Sequence, residues 1–125
     1  MTARLIIQLA ALLGALGVGI GAFGAHGLRP MLEASGRFDT FETAVRYQFY
    51  HALALLAVGI LLHLKPELRS LSTTAWLWLG GVLIFSGSLY VLCLTGITKL
   101  GAITPIGGVL LIAGWIVLFL AARQV

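Results

Sequence analysis

The sequence predicts an all-α membrane protein: four transmembrane helices in an up-down antiparallel bundle, with a short interfacial segment between the first and second. Three observations predict it. Of 125 residues, 60% are hydrophobic and 10% charged, and the mean hydropathy is +1.06, whereas a soluble domain is about half apolar and a quarter charged. Four apolar stretches, roughly 5–25, 45–64, 74–94 and 103–122, each approach the length a helix needs to cross a bilayer. The connections are short, which makes sequence neighbours antiparallel. Together they place residues 1–125 in a single four-span domain.

The first span, "LIIQLAALLGALGVGIGAFGA", is rich in glycine. Its length argues against a cleaved signal peptide, whose apolar core is usually ~7–15 residues. At 100° per residue, Ala10, Gly14, Gly17, Gly21, Gly24 and Ala25 share a stripe, and Gly17 and Gly21 form a GxxxG pair. In lipid, small residues that let backbones approach mark packed faces. Gly80 and Gly87 in the third span, and Gly107, Gly114 and Ala121 in the fourth, repeat at seven, the period of left-handed packing. These seams serve either the bundle itself or a second copy of the chain.

Residues 26–44, "HGLRPMLEASGRFDTFETA", hold three of the four acids. Leu28, Met31 and Leu32 around Pro30 read as an interfacial turn, and Ser35-Gly36 breaks it. Asp39 and Glu42, three apart, read as the cap of a helix starting near Thr40. The second span then enters hydrocarbon near Val45. The segment 65–73 and the stretch "TGITKLGAITP" are tight connections, with Pro105 in the first turn of the last helix.

Charge hardly decides orientation. Arg4, Lys65, Arg69 and Arg123 lie on one side, and Arg29, Arg37, Arg46 and Lys99 on the other. The amino terminus and a boundary position for Arg46 tip the positive-inside rule toward cytoplasmic termini. The net charge of +4 sits near membrane ends and reads as headgroup contact, not nucleic-acid binding. Cys93 is alone, so no intrachain disulfide forms. Trp76, Trp78 and Trp115 suit interfacial belts or packed positions.

The candidate site is the polar opening of span two, "FETAVRYQFYH". Glu42, Arg46 and Tyr50 are spaced for one helical stripe, Tyr47 and His51 for the next, with Val45, Phe49, Ala52 and Leu56 on the lipid side. His51 lies ~9 Å past Val45, too deep for a short side chain to reach headgroups, so it needs a partner inside the bundle. Glu42, Arg46, Tyr47 and His51 are therefore expected to face inward together, with Tyr47 bonded to His51. This set is either a structural lock or a ligand or proton site, which His26 at the end of span one could join. Topology alone also permits a His26–His51 metal or haem pair, but without the close spacing of metal motifs. No metal or other cofactor is expected. There is no phosphate loop, HExxH or CxxC, and a pairing of Ser86 or Ser88 with His51 lacks an acid at matching depth. His63 is at the opposite end of the span.

The segments "GAFGAHGL", "YQFYHALALL", "FSGSLY" and "TPIGGVLLIAGW", in this order, resemble the family called domain of unknown function 423, the bacterial branch related to transmembrane protein 256. The matching positions are Gly21, Gly24, His26, Gly27, Tyr47, His51, Ser86, Gly87, Ser88, Tyr90, Thr104, Pro105, Gly107 and Gly108. The resemblance covers nearly the whole chain. It implies a small four-span protein of the bacterial inner membrane, and brings no reaction, cofactor or catalytic residue. The leading expectation is a non-enzymatic accessory, assembly or scaffold protein, alone in the bilayer, as a homo-oligomer or in a larger complex. Alternatives are small-ligand, ion or proton binding or transport near Arg46, Tyr47 and His51, and, more weakly, an intramembrane enzyme or haem protein.

Overall fold

A computed structural model describes residues 1–125. Helix α1 spans Ala3–Ala25, α2 Arg29–Ala34, α3 Phe38–Leu64, α4 Ser70–Thr95 and α5 Thr104–Ala121, with 3-10 turns at Thr98–Ala102 and Ala122–Gln124. Four of the helices are long and apolar enough to cross a membrane.

Local chemistry sets the ends. Thr2 caps α1, its hydroxyl accepting from the Leu5 amide at 3.2 Å. Gly36 and Gly96 adopt φ of 70° and 75°, a left-handed conformation that ends α2 and α4 and favours glycine. The Asp39–Glu42 cap does not form. Helix α3 starts earlier, at Phe38, and no side chain caps it at Arg37. Asp39 instead lies in the first turn, where its charge complements the helix dipole. Met31 also departs from the expected apolar side of α2: it is exposed, whereas Leu32 is fully buried against Phe41 and Cys93.

The packing is serial. Helix α1 packs on α3, α3 on α4 and α4 on α5, each pair antiparallel. The core runs through all four, from Ile6, Ala10 and Leu13 through Leu55, Val58, Trp78 and Val82 to Leu111 and Ala121. Along α3, Ala52 and Gly59 are buried beside a continuous buried row of Phe41, Ala44, Gln48, His51, Leu55, Val58 and Leu62. The alternating spacing of three and four in that row is the seam of left-handed helix packing.

That seam corrects the expected faces of α3. Ala52 is buried. Val45 and Phe49 do not face lipid but sit against α1, each 3.1 Å from where a Cβ on Gly21 or Gly17 would stand. Gly24 receives the Phe41 ring even more closely. In the other seam Gly107 admits the Phe85 backbone and Gly114 the Trp78 indole, 2.5 Å from the Cβ position. Three glycines read as packing residues are not close-packed. A Cβ on Gly14 or Gly87 would meet nothing within 4 Å, and one on Gly80 would make only ordinary contact with Leu110 at 3.9 Å. Their place is taken by Gly59, against Ile7 at 2.7 Å, and Gly81, against Leu111 at 2.6 Å.

Candidate functional site

The polar opening of α3 divides between two faces. On the outer face Arg46 pairs with Glu42 at 3.3 Å, one turn apart, with 59% and 33% of the side chains exposed. Such exposed pairs contribute ~0–1 kcal/mol. Tyr50 is exposed beside them. On the inner face lie Gln48 and His51, both buried. The inward set of Glu42, Arg46, Tyr47 and His51 is therefore corrected: only His51 is enclosed, because the inner face follows the 41–44–48–51 seam and not the 42–46–50 stripe.

His51 has both ring nitrogens occupied. Trp115 Nε1–H donates to Nε2 at 3.1 Å. An indole N–H can only donate, so the ring proton resides on Nδ1, which donates to the Tyr47 carbonyl at 2.8 Å. Tyr47 thus fixes the tautomer through its backbone, while its ring stacks on the imidazole at 6.4 Å and its hydroxyl is not used. Trp78 stands edge-on to His51 at 5.7 Å and contacts Trp115 at 4.5 Å. Fully buried, it donates Nε1–H to the Leu111 carbonyl at 3.1 Å. A cavity of about 300 Å³ adjoins this group, bounded by Tyr47, His51, Phe85 and Trp115. His26 is exposed at the end of α1 and makes none of these bonds.

A second polar centre joins α1, α3 and α4. Gln48 Nε2 donates to the Leu13 carbonyl at 2.9 Å, and Gln48 Oε1 accepts from the Tyr90 hydroxyl at 2.6 Å. Ser86 donates to the Ala44 carbonyl at 2.7 Å. Farther along, Ser88 and Thr104 share a bond of 2.6 Å between α4 and α5. Each helix contact is thus fastened by an interhelical hydrogen bond, and every buried side-chain polar atom is partnered. Hydrocarbon offers no alternative partner, so saturation is required there. Sequence reasoning passed over Gln48. The signal was present: an amide three residues before His51, in register with Phe41 and Leu55.

Fold and site define a small four-span helical membrane protein with an aromatic and amide-linked interior. The family described as "Protein of unknown function (DUF423)" matches residues 20–108, and the chain belongs to it. It is similar to the UPF0382 membrane protein YwdK of Bacillus subtilis, at 44% identity over 95% of this chain and 96% of that one. It is also similar to UPF0382 membrane proteins of Staphylococcus saprophyticus, at 45% identity over 98% and 99% of the two chains, and of Staphylococcus aureus, at 47% over 94% of each. No solved structure matches.

Proposed function

We propose that the protein is a non-enzymatic accessory, assembly or scaffold component of the bacterial inner membrane, acting through helix packing. The saturated interior supports this reading. The hydroxyls of Ser86 and Ser88 donate to backbone carbonyls, both His51 nitrogens are taken, and no acid is buried among them. Polar groups committed to joining helices stabilise a rigid body that can present its outer faces to another membrane helix. Ligand binding at the cavity beside His51 would first require Trp115 to release Nε2.

A photocrosslinking residue placed singly at Val18, Ile112 and Phe119, all strongly exposed, tests this in intact membranes. The expected result is a discrete protein adduct from one helix face and lipid adducts from the others. Two differently tagged copies separate self-association from a second subunit. Lipid adducts alone at every position would reject the packing role.

We further propose that both termini lie in the cytoplasm and that the 26–44 segment and the Lys99 loop face outside. In a Cys93→Ser background, Ser35→Cys should react with an impermeant maleimide in intact cells. Reaction only after permeabilisation reverses the orientation.

A further inference from the structure

Because α3 stands between them, α1 and α4 do not close on each other, and an apolar furrow runs along their junction. Its wider part, about 510 Å³, lies among Gly19, Ile20, Phe23, Leu28, Tyr90 and Leu94. Through Ile20 and Tyr90 it continues into a part of about 180 Å³ that reaches Leu83 and Gly87. From Leu83 to Leu94 α4 rises ~16 Å at ~1.5 Å per residue.

Two features give this furrow a chemistry. A Cβ on Gly19 or Gly87 would meet no atom within 4 Å. Close packing therefore does not explain these glycines, which cost roughly 0.5–1 kcal/mol against alanine inside a helix. What they leave clear is the two sides of the furrow, Gly19 on α1 and Gly87 on α4.

The second feature is a cation at its polar end. The Arg37 carbonyl accepts from Cys93 Sγ at 3.8 Å, and Arg37 Nη1 lies 3.6 Å from the Cβ position of Gly96, so the guanidinium sits at the end of α4, two residues past Leu94 and one α3 turn before Phe41, both of which line the furrow. It has no carboxylate partner: Glu33 is held by Arg29 at 2.7 Å and Glu42 by Arg46 at 3.3 Å, and Asp39 forms no ion pair. An apolar lining that follows α4 for ~16 Å and ends at an unpaired cation matches one acyl chain and its anionic headgroup.

We propose that the α1–α4 furrow binds one anionic phospholipid, its acyl chain lying over Gly19 and Gly87 and its phosphate at Arg37. The purified protein in neutral detergent would be titrated with phosphatidylglycerol and with phosphatidylcholine of identical chains, read by native mass spectrometry and thermal melting. Phosphatidylglycerol should bind and stabilise at about fivefold lower concentration, the effect of one basic residue near an anionic headgroup. Arg37→Gln should abolish that preference and Arg37→Lys retain it. Gly19→Leu and Gly87→Leu should melt like the parent without lipid yet bind both lipids more weakly. Equal binding of the two lipids by the parent overturns the headgroup assignment. Unchanged phosphatidylglycerol binding in both leucine variants overturns the furrow. Crosslinks between copies through Phe23→Cys in vesicles lacking anionic lipid would show a second chain there and overturn the proposal.

Discussion

Gly107→Ala should lower the melting temperature in detergent by on the order of 10 °C, or prevent folding. The added methyl would occupy the space of the Phe85 backbone, closer than any real Cβ contact. A flexible side chain could swing aside, but a backbone amide inside α4 cannot. The helices must separate, and α4 and α5 then lose the Trp78–Leu111 bond of 3.1 Å and the Ser88–Thr104 bond of 2.6 Å. Overpacking costs ~1–3 kcal/mol in cores that can adjust, and this site should lie at the top of that range. Gly14→Ala is the matched control, because its Cβ meets nothing within 4 Å. It should be neutral or stabilising by up to ~1 kcal/mol. Thermal melts of the two variants check both values. Equal melting of Gly107→Ala and parent would mean that α4 and α5 do not pack here.

Gln48→Leu should cost about 1–3 kcal/mol. One amide side chain ties α1 to α3 through the Leu13 carbonyl at 2.9 Å and α3 to α4 through the Tyr90 hydroxyl at 2.6 Å. Interhelical bonds in membranes average ~0.6 kcal/mol and reach ~1.7, and removing Gln48 also leaves the Tyr90 hydroxyl unpaired in an apolar setting. A double-mutant cycle with Tyr90→Phe separates these contributions. The double variant should be less destabilised than the sum of the singles, because the second change removes the orphaned hydroxyl. Arg46→Leu, two positions away on the exposed face, should change stability by about 0.5 kcal/mol or less. If Arg46→Leu proved the more damaging, the assignment of inner and outer faces on α3 would be reversed.

The contrast between Gln48 and Arg46 shows how far the sequence could be read. Arg46, Glu42 and Tyr50 are conspicuous polar residues, and their spacing defines a plausible stripe. Their stripe is nevertheless the outer one. Gln48 is a single uncharged amide between aromatics and carries more of the interior. His51 lies at the boundary of both readings. Its depth demanded a partner, and Tyr47 supplies one through its carbonyl, but the second is Trp115, distant in the chain, whose indole had suggested only a belt or a packed position.

By itself the sequence determined the solvent, the number of crossings and their antiparallel order. Long apolar runs must be helical in hydrocarbon, where every backbone polar group needs an internal partner, and short connections leave neighbours little choice of direction. It also marked glycine as the means of close approach. Only the tertiary structure decided which glycines serve: Gly17, Gly21, Gly24, Gly107 and Gly114 receive side chains or backbone, as do Gly59 and Gly81, while Gly14, Gly80 and Gly87 do not. The physical reason is that lipid is as apolar as the core. In water the buried face of a helix is written as a hydrophobic stripe against a polar one. In a bilayer Leu83 facing lipid and Leu111 facing the core are the same residue type. The buried face is then settled by shape and by the pairing of a few polar atoms, both of which exist only once the helices have met.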